Sequence, residues 1–181
     1  MRIALFVPSH ISSKTFLQPP IEFYTIRKIL KYDQVDVFDF RISKSTADEI
    51  VSTLKGGQYD LIIATTAPYD MCQMYHSDYR LTYAMHIISI VAQCIGGMVG
   101  IVGAHATLAP EQMLLETDSD FVVLGEIEQT ICNIVTNLKE GKDIQNVPNL
   151  VLKDGNSVIR TSEEEISWHP DGYYVDGADW E

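Results

Sequence analysis

The sequence predicts an α/β protein with a doubly wound, five-stranded parallel sheet and a small β-hairpin after it. Two observations carry the sheet: five short apolar runs alternate with amphipathic stretches, and the runs break at glycine, proline or hydroxyl residues. A third carries the hairpin. After Pro148 the pattern changes to two alternating segments around a glycine-containing turn.

Residues 2–8, RIALFVP, form a continuous apolar run, the mark of a central parallel strand covered on both faces. The connection SHISSKTFLQPP leads into a helix over 21–30, whose Pro19-Pro20 entry suits a first turn. VDVFDF, 35–40, is the second strand. Ser45-Thr46-Ala47-Asp48-Glu49 reads as a cap, with acidic residues in the first turn of a helix that runs to Leu54 and stops at Gly56-Gly57. DLIIAT, 60–65, is the third strand. Residues 66–80, TAPYDMCQMYHSDYR, have no clean period, and a helix over 81–94 then ends at Gly96-Gly97. The fourth strand, 99–102, breaks at a loop beginning Gly103-Ala104-His105. Pro110 opens a short helix over 111–115, and the fifth strand, 121–124, breaks at Gly125-Glu126. The helix over 127–139 gathers Ile127, Ile131, Ile134, Val135 and Leu138 on one face and closes at Gly141. With right-handed crossovers this is a flavodoxin-like sheet. The expected organisation is an α/β domain over 1–147, a hairpin over 148–161 built on LVLK and SVIR, and an acidic, aromatic tail over 162–181.

The formal charge is −12, from 25 acidic against 13 basic residues, and the basic ones are scattered. Repulsion from phosphate excludes nucleic acid and anionic membranes as expected partners. The apolar runs all fall short of the roughly 18 residues that cross a bilayer. Met1-Arg2 is followed at once by a strand, with no small-residue cleavage site, so the expected location is cytoplasmic. Cys72, Cys94 and Cys132 form no CxxC or CxxxCxxC cluster and supply neither a zinc site nor an iron–sulfur cradle. Cys94 and Cys132 read as buried small hydrophobes, and Cys72 as a loop thiol.

Ligands of parallel sheets bind beyond the carboxyl ends of the strands. Four loops are expected there: Pro8-Ser9-His10, Thr65-Thr66-Ala67-Pro68, Gly103-Ala104-His105-Ala106-Thr107, and Gly125-Glu126-Ile127-Glu128. Their hydroxyls and free backbone N–H groups beside helix starts suit an amide-rich or anionic ligand. No GxxxxGK[ST], GxGxxG after the first strand, GxSxG or HExxH is present, so no catalytic residue is assigned.

The blocks FLQPPIEFYTIRKIL and VDVFDFR, then YDLIIATTA, VGIVGAHATLAPEQML, DSDFVVLGEIEQTICNIVTNLKEG and LVLKDGNSVIR stand in one order over residues 1–161. In that order they resemble the cobalamin-binding domain that precedes the catalytic barrel of cobalamin-dependent radical SAM proteins. The resemblance implies that cobalamin (B12) is held by Ser9, His10, Thr65, Thr66, Ala67, Gly103, Ala104, His105, Ala106, Gly125 and Glu126. It implies an iron–sulfur cluster and S-adenosylmethionine only in a separate catalytic domain, partnered in cis or in trans. Two departures are visible. Ala104 stands where the family has a second glycine, and the loop after the first strand keeps only the histidine of the DxHxxG seen in methionine-synthase-like relatives. His10 is accordingly the candidate axial ligand of cobalt. His105 would border the nucleotide tail, and Tyr75 and His76 are further residues that could approach the corrin. Two rival functions remain open at this point: a small flavin- or nucleotide-binding protein using Thr65, Thr66, Gly125 and Glu126 around a phosphate, or a cofactor-free docking domain.

Overall fold

The computed structural model describes residues 1–9, 19–66, 77–155 and 157–165. Across them the apolar runs form β1 (Arg2–Val7), β2 (Gln34–Asp39), β3 (Leu61–Thr65), β4 (Met98–Val102) and β5 (Phe121–Val123), and the hairpin forms β6 (Leu150–Asp154) and β7 (Ser157–Arg160). The connections carry α1 (Ile21–Ile29), α2 (Phe40–Ser43), α3 (Ala47–Gly57), α4 (Ser77–Cys94), α5 (Ala104–Leu108), α6 (Pro110–Thr117) and α7 (Ile127–Lys139), with a 3₁₀ turn at Ile144–Asn146.

All seven strands lie in one sheet, in the order β2-β1-β3-β4-β5-β6-β7. The pairs β1·β2, β1·β3, β3·β4 and β4·β5 are parallel, and β5·β6 and β6·β7 are antiparallel. The sheet is therefore mixed and seven-stranded, rather than five strands with an appended hairpin. The reason is edge chemistry. Left as an edge, β5 would expose a row of unpaired N–H and C=O groups, and β6 takes them up in the register Phe121↔Leu152, Val122↔Val151 and Val123↔Leu150.

Two cores sandwich the sheet. On one face Ile3, Leu5, Ile63 and Phe121 meet Phe23 and Ile26 of α1 and Ile131 and Ile134 of α7. On the other, Phe6, Ile62, Ile101 and Val122 meet Ile50 and Leu54 of α3, Ile87 and Val91 of α4, and Met113 of α6. Residues 3–7 of β1 and 61–64 of β3 are all fully buried, so apolar side chains are required toward both faces.

Several boundaries move for local reasons. The helix expected to stop at Gly56-Gly57 runs through both, because Gln58 takes the left-handed cap at φ 50°. Gly57 serves packing instead: a Cβ there would lie 2.0 Å from the Tyr59 ring. The Thr46 cap forms as a reciprocal capping box with Glu49. The sequence 103–107, expected as a loop, enters α5 directly; five residues are too few to show a helical period. α4 begins at Ser77, four residues before the expected start. α2 and the 3₁₀ turn are also too short to leave a periodic signal.

At the amino edge of the sheet, two aspartates do the same job. Asp60, just before β3, accepts the Arg2 N–H at 2.8 Å, and Asp120, just before β5, accepts the Val99 N–H at 2.7 Å. Each satisfies a backbone donor at the start of a neighbouring strand.

Gly100 faces Phe121 across the β4·β5 ladder, and a Cβ on Gly100 would lie 2.2 Å from that fully buried ring. Gly100→Ala is expected to destabilise the fold by about 1–3 kcal/mol in urea unfolding, with part of the loss recovered in Gly100→Ala/Phe121→Leu.

Candidate functional site

The sheet changes direction at β1. The path from β1 through α1 to β2 runs one way along the sheet, and β3, β4 and β5 follow on the other side. In such sheets ligands bind beyond the carboxyl ends of the strands where the order reverses, here β1 and β3.

The sequence-predicted residues divide into three groups. Ser9, Thr65 and Thr66 lie at or just beyond the carboxyl ends of β1 and β3 and are buried. Ser9 donates its hydroxyl to the Ser45 carbonyl at 2.6 Å, which fixes the link between α2 and α3. Thr66 donates both its N–H, at 2.9 Å, and its hydroxyl, at 3.2 Å, to the Val102 carbonyl at the end of β4. The second group surrounds the ends of β4 and β5. Gly103 adopts φ 123°, which an L side chain rarely tolerates, and so turns the chain straight into α5. Ala104 is exposed, His105 half-buried and Ala106 buried. Gly125, at φ 66°, is exposed with open space where a Cβ would stand, and Glu126 beside it is exposed. The third group, His10 and Ala67, lies outside the described residues, as do Cys72, Tyr75 and His76.

Thr107 joins the two turns. Its hydroxyl donates to the Gly103 carbonyl at 3.1 Å and accepts the Gly125 N–H at 3.1 Å. Beside them lies a cleft of about 560 Å³, bordered by Thr107, Gly125, Glu126, Asn149 and Arg160. Asn149 builds its far wall. Held at φ 62°, it gives its side-chain N–H to the Glu164 carbonyl and accepts the Glu164 N–H, both at 2.9 Å, while its backbone N–H donates to Ser162 at 2.8 Å. Arg160 pairs with Glu111 at 2.9 Å and Glu163 at 3.2 Å.

Sequence reasoning missed a layer of charge around the carboxyl ends of β2 and β3. Arg41, only 4% exposed, grips Asp39 bidentately, Nε to Oδ1 at 2.8 Å and Nη2 to Oδ2 at 2.6 Å. Glu22, in the first turn of α1, has its Oε1 buried with no hydrogen-bond partner among the described residues. The Thr65 hydroxyl hydrogen-bonds the Glu22 side chain. Burial, with the charge of Glu128 added, pushes the Glu22 carboxyl above the ordinary range, against the opposing pull of its own backbone N–H and Arg41. Burial also raises Glu128, with Glu126 adding to it. In the sequence, Glu22 looked like any acidic first-turn residue following a proline entry.

The thiols divide. Cys132 is half-buried and its pKa is pushed up to about 11 by burial and by Glu128. Cys94, expected buried, is exposed at the last turn of α4. Among the described residues, no three His, Cys, Asp or Glu side chains are grouped to hold a metal ion, and no helix is long and apolar enough to cross a membrane.

Asn149→Ala removes both side-chain bonds to Glu164 and leaves a side chain other than glycine or asparagine at positive φ. An unfolding penalty of about 1–3 kcal/mol is expected, with faster amide exchange at Glu164. Glu22 and Glu128 give a pH signature. Because their folded values are raised, the native state binds more protons than the unfolded chain above the ordinary carboxylate range, so stability falls as pH rises through that window. Glu22→Gln/Glu128→Gln is expected to flatten this fall and to melt higher than wild type at about pH 8. Thermal melts across pH check it.

No protein-family model matches the chain, and no curated protein matches it in sequence. Solved structures do. The radical S-adenosylmethionine methyltransferase TsrM from Kitasatospora setae, solved with tryptophan substrate and a SAM analogue, superposes with a TM-score of 0.74 at 17% identity, over 90% of this chain and 30% of that one. TsrM with cobalamin and a [4Fe-4S] cluster bound gives 0.74 at 17%, over 89% and 31%. The cobalamin-dependent S-adenosylmethionine radical enzyme OxsB with aqua-cobalamin bound gives 0.72 at 16%, over 91% and 22%. The chain thus spans less than a third of either enzyme. Over nearly its whole length it has the α/β fold of one segment of these cobalamin-containing radical SAM enzymes.

Proposed function

We propose that this chain is the cobalamin-binding module of a radical SAM enzyme, holding the corrinoid at the carboxyl ends of the sheet strands. The observation that carries the reading is the likeness in fold to two enzymes solved with cobalamin bound, over about nine-tenths of the chain. The residues fit such a ligand. A buried carboxyl oxygen on Glu22, whose side chain meets Thr65 at the end of β3, has no hydrogen-bond partner among the described residues. Gly125 leaves the space of a side chain open beside a cleft of about 560 Å³. Small or hydroxyl residues at both turns let backbone approach a flat, amide-rimmed molecule.

In this reading Gly103, Ala104, His105, Ala106, Gly125 and Glu126 border the corrinoid and its tail, while Ser9, Thr65 and Thr66 hold the floor rigid from beneath. His10 and Ala67 belong to the same two loops, His10 as the candidate axial ligand. When bound, cobalamin supplies a cobalt centre able to carry a methyl group or support a related radical reaction. The chain's own part is to orient it and keep one face open to a catalytic domain. Residues 1–147 form the binding domain in this scheme, 148–161 its hairpin, and 162–181 a linker toward the catalytic domain, which holds the iron–sulfur cluster and S-adenosylmethionine. A cytoplasmic setting without nucleic acid agrees with the charge of −12.

The experiment is titration of the purified chain with hydroxocobalamin and methylcobalamin, followed by desalting and absorption spectroscopy. A retained corrinoid spectrum is expected. A difference between wild type and His10→Ala in the cobalt bands would assign the imidazole to cobalt, and identical spectra would remove it. A folded protein that retains no corrinoid would turn the reading toward flavin, nucleotide or cofactor-free docking.

A further inference from the structure

We propose that Asn149 is a positioning residue of the corrinoid site: its side chain straps residues 162–165 along the cleft, where they form a wall that packs against the bound corrinoid. The inference rests on the cobalamin reading and adds to it a wall and the residue that holds it.

Three observations support the strap. The first is the way it is tied. Asn149 is 7% exposed and stands at φ 62°, a left-handed conformation that asparagine tolerates better than most side chains. Its amide meets Glu164 as one more peptide group would, donating its N–H to the Glu164 carbonyl and accepting the Glu164 N–H, while its backbone N–H donates to the Ser162 carbonyl. The Asn149 carbonyl accepts the Leu124 N–H at 2.8 Å, at the residue just before Gly125. One residue therefore ties the turn after β5 to the strap.

The second is how little else holds it. Residues 162–165 are all exposed, and none of them belongs to either core. Thr161 roots the segment by donating its N–H to the Leu150 carbonyl at 2.9 Å, but the ion pair from Arg160 to Glu163 is solvent-exposed and contributes little. The third is the cavity. The cleft of about 560 Å³ is bordered both by Glu163, Glu164 and Glu165 and by Gly125 and Glu126, all of them described residues. The backbone groups of Glu163 and Glu165 make no hydrogen bond among the described residues, which leaves them open to the carboxamides of a corrinoid.

A strap tied by a few polar bonds opens locally. A ligand that packs against its closed form stabilises it, and by linkage the closed strap tightens the ligand by the same factor.

The test combines hydroxocobalamin binding by equilibrium dialysis, amide exchange and thermal melts of the full 181-residue chain. In wild type, the ligand is expected to slow exchange of the Asn149 and Glu164 amides by about tenfold. Asn149→Gly keeps the positive φ and deletes both side-chain bonds. Glu164→Pro deletes the N–H that the Asn149 side chain accepts and leaves the body of the domain untouched. Both variants should exchange faster than wild type at residue 149 and bind hydroxocobalamin about five- to tenfold more weakly, with Glu164→Pro melting like wild type in the absence of ligand. If Asn149→Gly does not fold, Glu164→Pro decides alone. A residue that served stability only would lower the ligand-free melting temperature and leave the affinity within about twofold of wild type, which overturns the strap. Residue 149 still protected in the variants, or wild-type exchange unmoved by ligand, overturns it as well, and in each of these cases the cobalamin reading stands. Wild type that retains no hydroxocobalamin overturns both.

Discussion

Burial of the central strands on both faces is the constraint on which the rest of this structure depends. Residues 3–7 of β1 and 61–64 of β3 have no accessible surface. A strand in that position can spare no side chain for a ligand. Chemistry is therefore confined to the strand ends, where the ladder stops and backbone groups need new partners. The amino edge meets that need with carboxylates from within the chain, Asp60 and Asp120, and so seals itself. The carboxyl edge is finished differently. Thr66 and Thr107 consume carbonyls and one N–H to lock the turns against each other, yet Gly125 stays exposed and one oxygen of Glu22 has no partner among the described residues.

Much of this was legible in the residues because the strands are uniform. A run such as IALFV or LIIAT can only be covered on both sides, and five such runs separated by amphipathic stretches leave few topologies. The helix over 127–139 was visible to the residue, since its apolar face repeats through three turns. What was not legible is short or long-range. α2 and α5 have four and five residues, less than is needed to display a period. Gly57 was read as a stop signal when its task is to make room for Tyr59, a contact that depends on the turn between them.

The site was legible as a set of loops rather than as a set of interactions. Small and hydroxyl residues mark the ends of β3, β4 and β5, but nothing in the string distinguishes a hydroxyl that meets a ligand from one that ties a carbonyl. Thr66 proves to be a tie, and Thr107 the bolt between two turns. The charged layer was hidden for another reason. Glu22 and Glu128 lie more than a hundred positions apart, and only the packing of α1 on α7 brings their charges into range. Asn149 was similarly hidden, because its side chain acts like one more strand residue for a segment fifteen positions away.

The closing hairpin decides where the chain emerges. β6 descends from the carboxyl edge and β7 climbs back to it, so residues 161–165 issue beside Gly125 and Glu126, on the rim of the cleft. Met1 lies at the opposite edge, paired through its ammonium group with Asp33. Whatever follows residue 165 starts from the rim of the cleft. A polypeptide joined ahead of Met1 would have to travel the full height of the sheet. The hairpin therefore acts as an inverter of chain polarity, and gives anything that follows it privileged access to the site.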